Sequence, residues 1–145
     1  MVWPFKKKKT FDDSQKEQFA ELLSPLLEMQ RIAAVNYSIE DSEGHPNRKA
    51  LGYIYGFIDA ALQTIGQDMS DISIGGPIFY QVLNNLFPGH GQDYTKYFID
   101  HMEDETTTLG VMTGGQQYLK YHKPGSEGIP MGLARFLMQG DSTKV

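Results

Sequence analysis

The chain has 145 residues, 40% of them apolar, and contains no cysteine. That is one domain's worth of sequence with enough apolar material for a core, and it excludes disulfides, thiolate metal sites and thiol nucleophiles together. The formal charge of −5 hides an asymmetry: Lys6 to Lys9 hold four positive charges, so residues 10 to 145 set nine basic against eighteen acidic side chains, a charge of −9. An acidic body repels phosphate backbones and no basic stripe lies beyond the tip, so nucleic acid is not an expected partner.

Residues 1 to 10 read as a flexible basic and aromatic tail, followed by one helical domain over 11 to 145. Trp3 and Phe5 precede Lys6, Lys7, Lys8 and Lys9, the reverse of the charge-first order of a secretory signal. Aromatics beside clustered lysines are what an anionic lipid surface attracts, which makes these six residues membrane-contact candidates. A solvated chain end is the favoured reading, because one short cluster gives only weak attachment.

Ser14 and Glu17 have the S-x-x-E spacing of a capping box, and Phe19, Leu22, Leu23, Leu26 and Leu27 follow at helical spacing. Pro25 behind Ser24 predicts a kink or a second helix start. The apolar run continues to about Val35, and "YSIEDSEGHP", residues 37 to 46, reads as a loop in which His45 is solvated. Over about residues 47 to 66, Leu51, Ile54, Tyr55, Ile58, Ala61, Leu62 and Ile65 form one stripe, while Gly52, Gly56 and Ala60 form a ridge of small residues. A helix apolar nearly all round is central to a bundle, and its glycines predict close approach of a neighbour. Asp59 and Gln63 and the short apolar stretch argue against a membrane span.

Residues 67 to 76 read as a connection, Pro77 as the opening of a third helix, and Pro88 with Gly89 as its end. A fourth helix follows with Asp93 as its cap, carrying Tyr94, Tyr97, Phe98 and Met102 on one face with His101 and Glu105 near the middle of it. Asp100, Glu103 and Asp104 point elsewhere, toward solvent. "TTT" at 106 to 108 is a poor continuation of that helix. "GGQQYLKYHKPG" and "IPMGLARFLMQG" read as two shorter helices, the second opened by Pro130 and closed by Gly140. The expected architecture is an all-α bundle of five or six helices.

Chemistry is carried by few residues. His101 and Glu105, four apart on one helix, have acid–base spacing, although the same pair is also an ordinary way to satisfy polar groups at a core edge. Asp59, the lone charge of the central helix, is either a partnered structural carboxylate or a functional one. In each case the structural reading is favoured. Neither E-x-x-H pairs nor H-E-x-x-H occurs, and there is no phosphate loop, dinucleotide fingerprint or G-x-S-x-G elbow, so no catalytic residue, metal or cofactor is expected. "MTGGQQ", residues 112 to 117, is a chance match to a phage-capsid-derived epitope tag. The expected function is that of a non-enzymatic helical interaction protein of the cytoplasm, an adaptor, regulator or immunity-type binder with a protein partner. The alternative is a small enzyme or ligand- or metal-binding protein with a pocket around Asp59, Tyr97, His101 and Glu105.

Overall fold

The computed structural model describes residues 11–33, 46–67, 69–123, 132, 133, 136 and 137. The basic tail, most of the 37–46 loop with His45, and the expected ends of the last helix at Pro130 and Gly140 lie outside them. Five helices account for most of the described chain: α1 (Asp13–Ala33), α2 (Arg48–Thr64), α3 (Ile72–Leu86), α4 (Gly91–His101) and α5 (Glu105–His122). The fold is all-α, with no strand among the described residues.

α1 begins with a capping box two residues before the expected one. The Gln15 backbone N–H donates to Asp12 Oδ1 at 2.8 Å, and Asp12 N–H donates to Gln15 Oε1 at 2.9 Å. The helix then runs unbroken through Pro25, which is exposed. The Ser24 hydroxyl, instead of capping a second helix, donates to Ala20 O at 2.7 Å and accepts from Asn85 Nδ2 of α3 at 3.0 Å.

α3 also starts earlier than expected. Asp71 caps it by accepting from the Ser73 backbone N–H at 3.1 Å, so Pro77 lies inside the helix rather than opening it. An internal proline cannot donate to the carbonyl four residues back, here that of Ser73. Lys16 of α1 donates to this carbonyl from its Nζ at 2.6 Å, so the proline's cost is partly met by a tertiary contact. α1 and α3 therefore run the same way, Lys16 at Ser73, Ser24 at Asn85 and the Arg31 guanidinium over the Phe87 ring.

α2 is the central helix that its pattern predicts. Asn47 caps its N-terminus, and every residue from Ala50 to Leu62 is buried except the half-buried Tyr55 and Asp59. Gly66 ends it with a φ of 79°, the left-handed conformation that glycine adopts without strain, while Ile65, expected on the buried stripe, is half exposed beside it. Tyr55 stacks on Phe98 of α4 at 4.6 Å and meets Phe79 of α3 edge-on at 5.4 Å, one aromatic cluster joining three helices.

The ridge on α2 meets a matching ridge on α5. A methyl group built on Gly56 would overlap the carbonyl oxygen of Val111, and one on Gly52 that of Thr107. Conversely, methyl groups on Gly110 and Gly114 would overlap the carbonyls of Lys49 and Tyr53. Two glycines at four-residue spacing on each helix thus bring the backbones into direct contact, running parallel. Beside this pair Gln30 of α1, fully buried, accepts from the Tyr53 hydroxyl at 2.5 Å and from the Leu133 N–H at 3.3 Å. Leu133, Phe136 and Leu137 are buried there, Phe136 stacking on Tyr53.

Candidate functional site

The fourth expected helix is two helices with a corner between them. α4 ends at His101, Met102 is its C-cap, and α5 begins at Glu105. The reason is local: the Asp104 carboxylate accepts from the Thr106 backbone N–H at 3.0 Å, and the Thr108 hydroxyl donates to the Asp104 carbonyl at 3.0 Å, so the threonine run is the first turn of a capped helix rather than the frayed end of the previous one. α5 consequently starts nine residues before the expected "GGQQ" helix. Asp93 is likewise not a cap; it stands in the first turn of α4 and faces the His90 ring at 3.3 Å, a position where a carboxylate favours the helix dipole.

This corner breaks the expected His101–Glu105 pair. Glu105 is exposed on the first turn of α5, and His101 belongs to α4. The His101 Nδ1 lies 2.8 Å from the Tyr97 carbonyl oxygen, which can only accept, so Nδ1 carries the proton; its ring packs on that of Tyr97 with centroids 4.2 Å apart. Met102, expected on the apolar face, is 44% exposed.

The structure joins Tyr97 to two residues that the sequence left aside. Arg48, at the start of α2, donates from Nε to the Tyr97 hydroxyl at 3.3 Å, holds its guanidinium carbon 6.0 Å from the Tyr97 ring centroid, and donates from Nη1 to Asp104 Oδ2. Asp104, expected to point to solvent, is thus both helix cap and ion-pair partner. The Thr106 N–H, then the Arg48 guanidinium, hold its carboxyl below the usual carboxylate range; the hydrogen bonds to Tyr97 and then Asp104 raise the Arg48 guanidinium above its ordinary value. Arg48 and Asp104 carry no motif, and only the cap-plus-threonine pattern of "DETTT" hinted at the role of Asp104.

A depressed carboxyl pKa stabilises the fold above the unfolded-state value of about 3.9, and that contribution is lost as pH falls through the lower folded-state value. Asp104→Ala should therefore melt below the wild type at neutral pH. The difference should shrink as acid protonates Asp104 in the wild type, and thermal melts between pH 7 and pH 2 check it.

Asp59 does not join this cluster. It lies eleven residues along α2 from Arg48, about 16 Å at 1.5 Å per residue, and is half-buried beside the Tyr55 face. Among the described residues no three histidine or carboxylate side chains converge to hold a metal. The six tail residues lie outside the described chain, and no described helix is long and apolar enough to cross a membrane.

The outer side of the corner has a different character. A shallow open groove of about 450 Å³ is lined by Glu103, Glu105, Thr106, Thr108, Leu109 and Met112. Leu109 is 44% and Met112 56% exposed, and Met102 precedes the groove residue Glu103 in the chain. They stand on the face of α5 opposite the buried glycines. A second exposed stripe, Leu22, Met29 and Ile32, runs along α1 beside the Glu28–Arg31 ion pair. No protein-family model, no curated protein and no solved structure matches this chain, so its function is read from its own residues.

Proposed function

We propose that the chain is a non-enzymatic helical interaction protein, an adaptor, regulator or immunity-type binder of the cytoplasm, and that its binding element is the α4–α5 corner. The observation that carries this reading is the groove that exposed Leu109 and Met112 line together with the exposed residues Glu103 and Glu105. Apolar side chains at helical spacing under a one-sign rim are the features a partner helix or extended segment uses for anchoring and orientation. The polar residues behind the groove support the same reading, since Arg48, Tyr97 and Asp104 are engaged with one another. The enzyme alternative gains nothing from their arrangement, because Asp59 and Glu105 stand apart from His101.

The test compares capture from the native extract by the wild type and by Leu109→Glu/Met112→Glu. Both side chains are exposed, so the double variant should keep the wild-type melting temperature within a few degrees while losing the captured macromolecule. Identical capture by both chains would remove the corner as the binding element.

A further inference from the structure

The groove at the corner has an incomplete charge pattern. Arg48 is turned inward to Asp104, and Lys96 is paired with Asp100 at 3.1 Å. Glu103 and Glu105 form no ion pair among the described residues, and they line the same groove as exposed Leu109 and Met112. The complementary occupant is a segment with bulky apolar side chains next to a run of cations. This chain contains one such segment, Trp3 and Phe5 followed by Lys6 to Lys9. We propose that the corner receives residues 1–10 of a second copy of this chain, the two aromatics resting on Leu109 and Met112 and the lysines facing Glu103 and Glu105. The proposal rests on the reading of the corner as a binding face and names its occupant.

Geometry favours a second copy over the same one. Phe11 packs on Phe19, ring centroids 6.0 Å apart, at the start of α1, where Lys16 meets Ser73. The end of α1 meets the first turns of α2 through Gln30 and Tyr53, and the first turns of α5 lie against Lys49 and Gly52. The groove is therefore at the end of the bundle where α1 finishes. The 21 residues of α1 span about 31 Å, and ten residues reach at most about 33 to 36 Å when fully extended. A tail folding back on its own groove would be drawn almost straight, with little length left to settle its rings. Donation between copies has no such limit, and it joins two copies by exchanged tails or more copies head to tail.

Trp3 is the protein's one tryptophan, so its fluorescence reports on the tail of the unlabelled full-length chain. At about 50 mM salt, raising the protein concentration should shift Trp3 emission to the blue. The mass by sedimentation velocity should climb above that of a monomer. At about 500 mM salt both effects should vanish, since screening weakens contacts between exposed charges. Glu103→Lys/Glu105→Lys should weaken the association at least ten-fold, and adding Lys6→Glu, Lys7→Glu, Lys8→Glu and Lys9→Glu to that variant should restore it. A concentration-independent monomer at low salt would overturn the proposal, as would association indifferent to the charge reversal at the corner. So would a Trp3 that shifts only on anionic phosphatidylserine vesicles, which would assign the tail to a lipid surface. If Leu109→Glu/Met112→Glu abolishes capture from the extract while charge reversal leaves self-association unchanged, the tail proposal alone falls. If capture is unchanged, the binding-face reading falls with it.

Discussion

Gly56→Leu should lower the unfolding free energy by about 3 kcal/mol or more, read as a fall in the urea midpoint at constant slope. A side chain at this position has nowhere to go, because the atoms that a methyl group would meet are all Val111 backbone: its carbonyl oxygen, its carbonyl carbon at 2.7 Å and its Cα at 2.9 Å. A flexible side chain could swing away, but a helix backbone must move as a unit. The facing residues Gly110 and Gly114 are held as closely against Lys49 and Tyr53, so retreat at one point disturbs the whole contact. On an exposed helix the same substitution would instead stabilise by up to about 1 kcal/mol through helix propensity. The two outcomes have opposite signs, and a stabilised variant would mean that α2 and α5 are not in backbone contact.

Gln30→Met should cost about 3 kcal/mol although it keeps the volume and shape of the side chain nearly unchanged. Gln30 is 0% exposed, and its Oε1 receives both the Tyr53 hydroxyl and the Leu133 N–H, while its Nε2 donates to the Leu26 carbonyl at 3.3 Å. A thioether replaces none of these bonds well, and the Leu133 N–H is left in a site where that residue is 1% exposed. An unsatisfied buried donor costs about 1 to 3 kcal/mol, and lost hydrogen bonds add about 1 each. Tyr53→Phe should cost only about 1 kcal/mol, since the Gln30 oxygen keeps its other donor. Denaturant midpoints of the two variants check the ranking; equal midpoints would mean that Gln30 does not tie the residues around Leu133 to α1 and α2.

The parts of this fold that were legible in the sequence are those governed by periodicity. The stripe and the ridge of α2 predict a central helix in close contact with a neighbour, and the structure supplies that neighbour through Gly110 and Gly114, whose spacing matches that of Gly52 and Gly56. The helix starts were less legible because capping depends on a few short polar residues among several candidates. Asp12 with Gln15 caps α1 in place of Ser14 with Glu17, Asp71 starts α3 ahead of Pro77, and Asp104 starts α5 through a threonine run. Pro77 misled for a related reason: it sits inside α3, where Lys16 reaches the carbonyl it leaves free, while Pro25 lies within a single α1.

The site was the least legible part. One misplaced helix start put Glu105 on the same face as His101, and it hid Asp104 among carboxylates expected to be solvated. Tyr97 survives as a member of the inner polar cluster, but its partner Arg48 comes from a helix 49 residues earlier, a long-range contact that no local pattern marks. The exposed Leu109 and Met112 became visible only when α5 was extended to Glu105, because their place opposite Gly110 and Gly114 depends on all four sharing one helix.

α5 has two faces, glycines inward against α2 and an apolar groove outward, which we propose receives a partner. Methyl-labelled spectra of the full-length chain, recorded with and without the macromolecule captured from the extract, test it most directly. The methyl resonances of Met102, Leu109 and Met112 should shift, while those of Leu22, Met29 and Ile32 on α1 stay in place. Shifts confined to the α1 stripe, or centred on α2 around Asp59, would contradict it.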